Sequence, residues 1–216
     1  MSTPGRLLAI ALACPLATAQ GKPEPKPAPV STVYQNKDLG LRFSGVYGWN
    51  YEAASGSGAW TQLAKYSETA FQANVLLLVR NNTFTSLEAM RAAVREEFAE
   101  SKEEDPAPGR SAFREVALKD VEMREGMKLP GVDVEAVSRE VGSDGKKRES
   151  KLLVRTYHGK HRLYRVHCSA ARGRYKKVQE LFERAAASLV VDAVEERGGL
   201  GIEFHSARGG YSCIVP

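Results

Sequence analysis

The segment Val75-Leu76-Leu77-Leu78-Val79, inside Phe71–Arg80, limits the fold more than any other part of the chain. Neighbouring side chains on a strand point to opposite faces, so an unbroken apolar run cannot leave one face wet. Such a run predicts a strand buried on both sides, in a sheet with layers above and below. The chain has 216 residues, 43% of them hydrophobic and 26% charged. That suffices for one hydrophobic core with tails, and the charge content is ordinary for a globular chain.

Short strands are expected at Thr32–Gln35 and Leu39–Ser44, with Asn36-Lys37-Asp38 as a turn cluster between them. Trp49–Ala53 and Trp60–Tyr66 read as two more strands, joined by the flexible Ser55-Gly56-Ser57-Gly58. A helix is expected from Thr85. Thr85-x-x-Glu88 has the form of a capping box, and Leu87, Met90, Val94 and Phe98 recur at helical spacing. Asp105-Pro106-Ala107-Pro108-Gly109 blocks its continuation. Four strand-like segments follow: 112–123, 132–141, 149–158 and 161–170. Ser143-Asp144-Gly145 suits one turn, and Gly159-Lys160 suggests a type II′ turn between the last two strands. In the last of them Tyr164, Val166, Cys168 and Ala170 are expected to face the better-packed side. A second helix at about 174–188 puts Tyr175, Val178, Leu181, Phe182 and Ala185 on one face, and Leu189-Val190-Val191 closes the domain.

The first residues suggest an address. Arg6 precedes the apolar stretch Leu7–Leu16, which is too short for a membrane-spanning helix, and Ala17-Thr18-Ala19 forms a small-x-small cleavage site. Residues 1–19 therefore read as a secretory signal peptide and 20–32 as a Pro-rich, extended linker. Leu12-Ala13-Cys14 also resembles the end of a bacterial lipobox, which keeps a lipoprotein anchored through Cys14 as an alternative. The domain is expected over 33–192, followed by a Gly-rich C-terminal tail over 193–216. The expected location is extracytoplasmic, either periplasmic or secreted, with no transmembrane span in the mature chain.

Strands, a helix, an antiparallel meander and a second helix follow one another. With Tyr34, Leu39-Gly40-Leu41-Arg42-Phe43, Trp49, Ser86-Leu87-Glu88, the 152–170 hairpin, Tyr175, Phe182 and Ala187-Ser188-Leu189, this order resembles the PsbP-like/Mog-like family, including its small secreted bacterial members. The resemblance covers roughly residues 34–191. Family members often carry Pro shortly before the Trp, where this chain has Val46-Tyr47-Gly48. The resemblance implies an α+β fold, a mainly antiparallel β-sheet sandwiched by helices (α/β/α). It also implies a binding or assembly role without catalysis, and it supplies no active site.

The residues add little chemistry of their own. There is no Gly-rich phosphate loop, Gly-x-Ser-x-Gly elbow or His-Glu-x-x-His helix. No catalytic residue, metal ligand set or cofactor is assigned. His158 and His161 flank the expected turn and read as exposed histidines, with a metal site as the alternative. Once a leader is removed, Cys168 and Cys213 remain. In an oxidising compartment they are a candidate disulfide, and a buried Cys168 with a free Cys213 is the other arrangement. Trp49, Trp60 and Tyr66 read as core aromatics, or as a stacking surface for a ligand.

Charge is the strongest functional signal. Residues 146–177 hold twelve Lys/Arg and one acid, Glu149, whereas 85–105 hold seven acids and three bases. Lys146, Lys147, Arg148, Arg172, Arg174, Lys176 and Lys177 are the expected anion-binding groups, set against the alternative of a solvated basic face. The partner itself is unknown. Export argues against nucleic acid, leaving an acidic protein, an anionic lipid or a wall polymer. The expected function is a non-enzymatic extracytoplasmic binding or assembly module. A secreted enzyme or metal-binding protein with a pocket between helix and sheet is the alternative.

Overall fold

The computed structural model describes residues 33–55, 59–101, 106–107, 110–142 and 144–192, and the backbone of residues 202–205 and 212–215. The leader, Cys14 and the Pro-rich linker lie outside the described residues, as does most of the Asp105–Gly109 breaker.

The elements run β1 (Val33–Asn36), β2 (Leu41–Ser44), β3 (Asn50–Ser55), β4 (Thr61–Glu68), β5 (Ala73–Asn81), α1 (Leu87–Glu97), β6 (Ser111–Glu122), β7 (Pro130–Val141), β8 (Lys147–His158), β9 (Arg162–Ala171), a 3-10 turn (Arg172–Arg174), α2 (Tyr175–Ala187) and β10 (Val190–Val191). Seven strands form one antiparallel sheet in the order β3-β4-β5-β9-β8-β7-β6. The chain leaves central β5 through α1, reaches the far edge at β6, and returns by a meander that places β9 against β5. A small sheet, β1-β2-β10, closes the domain: Val190 pairs with Arg42, and Val191 with Leu41.

β5 carries the apolar run at the heart of the sheet, but it is fully buried on one face only: Leu76 and Leu78, on the other face, are half-buried, because the α1 cluster is centred on β7 and β8. Val75, Leu77 and Val79 are fully buried and pack in one cluster with α2, through Val178 and Phe182. Tyr164, Val166, Cys168 and Ala170 of β9 share that face and are also fully buried, as the alternation requires. On the opposite face Met90, Val94 and Phe98 of α1 pack against Val132, Val134, Ala136, Leu152, Val154 and Leu163. The architecture is thus a mainly antiparallel sheet with two helices. It is leaner than an expectation of helical layers on both sides, because each face receives a single helix.

Some local expectations shift. The cap of α1 is Ser86 rather than Thr85: Ser86 is extended (φ −150°, ψ 164°) and its Oγ accepts from the Ala89 amide at 3.1 Å. The hydroxyl and the carboxylate of the expected box are therefore out of register by one residue. Glu88 instead falls in the first turn, and its carboxyl is held below the usual range by its own backbone amide and by the Ser86 side chain. The β8–β9 turn also moves by one. Gly159 N–H donates to Arg162 O, which puts Lys160 and His161 at the corner, and Gly159 lacks the positive φ of a type II′ turn. Within the Gly-rich C-terminal tail the backbone forms an antiparallel hairpin, β11 (Ile202–His205) and β12 (Ser212–Val215), with Phe204 opposite Cys213.

Candidate functional site

Register brings the two basic segments to one end of the sheet. Ser150 of β8 pairs with Ala171 of β9, so Lys146–Arg148 and Arg172–Arg174 continue past the same edge of the ladder. Acidic residues from other strands meet them there. Arg172 reaches Glu115 Oε1 at 2.5 Å and Glu149 Oε2 at 3.2 Å, Arg148 pairs with Asp144 at 3.0 Å, and Arg139 joins Glu149 at 2.5 Å. Hydrogen bonds from Arg139 and Arg172 hold the Glu149 carboxyl below its ordinary range. Glu115 reaches this position because β6 bulges between Arg114 and Ala117, with Glu115 at φ 54°. Arg174, Lys176 and Lys177 are exposed. Among the described residues no ion pair neutralises them or Lys146. Lys147 is exposed on the hairpin as well.

Other members of the basic run are absorbed by the fold. Arg165 is 3% exposed and grips Glu97 with both arms of its fork, at 2.6 and 2.7 Å, while its Nε donates to Thr156 Oγ1 at 2.9 Å. Its guanidinium lies 4.3 Å from the Trp60 ring centre, and that of Arg80 lies 4.5 Å from the same ring. Lys151 pairs with Glu135 at 3.3 Å and sits over the Tyr175 ring.

A charged cleft opens between α2 and the β6–β8 wing. Its lining includes Lys119, Arg124, Asp133, Glu135, Arg155 and Glu183, around a volume of roughly 430 Å³. Cross-strand pairing dictates the floor: Lys119 stands opposite Asp133, and Asp133 opposite Arg155. Arg155 Nε and Nη2 each donate to one oxygen of Asp133 at 2.5 Å. Burial pulls the Arg155 guanidinium down, but the hydrogen bond and charge of Asp133 outweigh it and leave the group well above its ordinary value.

The remaining candidates are dispersed. His158 Nε2 lies 3.1 Å from Asn82 Nδ2, the His161 carbonyl accepts from the Asn82 backbone N–H, and the residue opposite His158 in the ladder is Leu163, not His161. Among the described residues no group of His, Cys, Asp and Glu is spaced to hold a metal ion. Cys168 is a free thiol, fully buried under α2 with Sγ 4.0 Å from Phe182 O, and burial pushes its pKa far up. The side chain of Cys213 lies outside the described residues. Tyr66 is core, packed on Tyr51 and Phe43. Trp49 packs edge-on against Phe182, and Trp60 belongs to the α1 side. The three therefore do not form one stacking surface.

No protein-family model matches this chain, and no curated protein matches it in sequence. A solved structure does: the solution structure of cyanobacterial PsbP (CyanoP) from Synechocystis sp. PCC 6803. It is 14% identical, with a TM-score of 0.51 over 77% of this chain and 96% of that one. The fold is PsbP-like. Within this PsbP-like frame no helix among the described residues is long and apolar enough to cross a membrane.

The charged cleft escaped sequence reasoning, because Lys119, Asp133 and Arg155 come from three different strands. A signal was present. Arg155 alternates with Leu153 and Tyr157 along one face of its strand, and a paired charge is the ordinary reason for a cation among apolar neighbours.

Proposed function

We propose that this chain is a non-catalytic extracytoplasmic binding module of PsbP-like fold, exported on the leader in residues 1–19. It docks an anionic envelope partner on the sheet end bearing Lys146, Arg174, Lys176 and Lys177. The observation that carries this reading is the division of the basic run. Arg148, Arg165 and Arg172 have carboxylate partners, whereas these four cations have none among the described residues. Exposed, uncompensated cations attract polyanions and keep little of that attraction in salt. Lys147 and Arg148 flank the site, and Arg172 anchors the 3-10 turn that presents Arg174.

Sedimentation with phosphatidylglycerol vesicles, at low and high salt, tests the reading. The wild-type full chain is compared with R174Q/K176Q/K177Q, so that any contribution of the leader is common to both. Each cation near an anionic surface contributes about 1 kcal/mol, so the triple variant should bind on the order of 100-fold more weakly. Retention that changes with neither salt nor substitution overturns the site. An acidic wall polymer or an acidic protein captured in place of vesicles, with the same salt and variant dependence, identifies the other partner classes.

A further inference from the structure

The cleft under α2 has a different balance of charge from the sheet end. Each of its carboxylates has a partner. Both oxygens of Asp133 are taken by Arg155, Glu135 pairs with Lys151, and Glu183 accepts from the Gln179 amide at 3.0 Å. Two of its cations have none: Lys119 and Arg124 are exposed and form no ion pair with a described residue. Lys119 stands directly opposite Asp133, yet the carboxylate is turned wholly to Arg155.

The floor pair is also unusual for a small protein. The side chains of Arg155 and Asp133 are 14% and 13% exposed. Burying such a pair costs about as much as the attraction returns, so stability alone is a poor reason for it. What it does provide is a fixed guanidinium. Arg155 uses two of its N–H groups on Asp133 and lies beside the Tyr157 hydroxyl, with donors to spare. The cleft falls within the size range of small-ligand sites, at roughly 430 Å³.

We propose that the cleft between α2 and the β6–β8 wing binds a small oxyanion, a carboxylate or phosphate, with Lys119 and Arg124 as direct contacts above the Arg155 guanidinium that Asp133 holds in place. Planar, forked donors and a mobile ammonium suit such a group, and the Asp133 and Glu135 carboxylates are already paired with other cations. This site is separate from the sheet end of the preceding section, and either can stand without the other.

The test is an NMR amide-shift titration of the full chain with inorganic phosphate and with succinate, against sodium chloride at matched ionic strength. Saturable shifts confined to residues 117–124, 133–135, 155 and 183 are expected. K119A and R124A should each weaken binding about tenfold, the loss of one charge-assisted hydrogen bond or more. Both positions are exposed, and an unchanged thermal midpoint confirms that the variants fold. R174Q/K176Q/K177Q should titrate like wild type. Saturation with one probe alone supports the site and names the source of the oxyanion. Shifts that chloride reproduces, that never saturate, that K119A and R124A leave unchanged, or that centre on residues 172–177 overturn it.

Discussion

The two faces of the central sheet are built from the same strands by different physics. Toward α2, β5 and β9 present Val75, Leu77, Val79, Tyr164, Val166, Cys168 and Ala170, and the helix seals them with Tyr175, Val178 and Phe182. Toward α1, β9 presents Leu163, Arg165, His167 and Ser169, and part of the seal is ionic: Arg165 locks onto Glu97 and is stacked on Trp60. Under the body of α2 the first face is held by area removed from water, and its one buried ion pair, Arg155 with Asp133, lies at the margin toward β7. The second uses one bidentate pair to fix the position of a helix whose apolar stripe is short. Burial without direction suits the larger core, and a directional fork suits the place where a single helix must find its seat.

Substitutions on the two faces should therefore differ in size and in kind. Phe182→Ala removes a fully buried ring that touches both Trp49 and Tyr175. It should cost about 3–5 kcal/mol in urea denaturation, enough to unfold a marginal domain. Arg165→Ala should cost less, about 2 kcal/mol, because the orphaned Glu97 side chain is already 42% exposed and can hydrate. Arg165→Lys should not rescue it, since one ammonium cannot reproduce the fork and its stacking on Trp60. An Arg165→Ala cost equal to that of Phe182→Ala would erase the distinction between the faces.

pH sharpens the same contrast. His167 lies on the α1 face, where burial, and then the positive charge of Arg165, depress its pKa to about 4 against the opposing effect of Glu97. The unfolded chain binds this proton near pH 6.5. Between those values the unfolded state holds more protons, so the contribution is fully present above pH 6.5 and is lost as pH falls toward 4. His167 keeps some contact with solvent, so the loss from pH 7 to 5 should be about 1 kcal/mol. His167→Gln should remove that difference when urea midpoints are compared at the two pH values. A substitution on the α2 face, such as Cys168→Ala, should leave the pH difference in place.

The same division decides what sequence could reveal. Strand periodicity was legible because it reports burial: the alternation in β9 predicts its face without knowledge of any neighbour, whereas the unbroken run of β5 predicts two buried faces and the one bearing Leu76 and Leu78 is only half-buried. Charge was legible only as a tally along the chain. Residues 146–177 hold a single acid, Glu149, which reaches Arg172, but the carboxylates that pair with Arg165 and Arg155 and the second one on Arg172 are Glu97, Asp133 and Glu115, all N-terminal to that run. A basic run in a meander is paired across strands, and linear spacing does not show which members remain free. The Gly159 turn failed for a related reason. Its corner is fixed by the His158–Leu163 register and by Asn82, whose side chain donates to Gly159 O at 2.7 Å, not by the preference of glycine.

The start of α1 gives the smallest effect and the closest comparison, between neighbouring hydroxyls. Thr85 and Ser86 both precede the helix, and a capping box reads equally well from the sequence if Thr85 pairs with Glu88. The extended backbone at Ser86 decides between them, since only there does a side-chain oxygen meet an unpaired first-turn amide, that of Ala89. Ser86→Ala should cost about 1 kcal/mol, and Thr85→Ala should stay within about 0.5 kcal/mol of wild type. Amide exchange at Ala89 provides the check: it should quicken in the first variant and stay unchanged in the second. The reverse pattern would move the helix start back to Thr85 and shift Met90, Val94 and Phe98 relative to the cap that orients them toward the sheet.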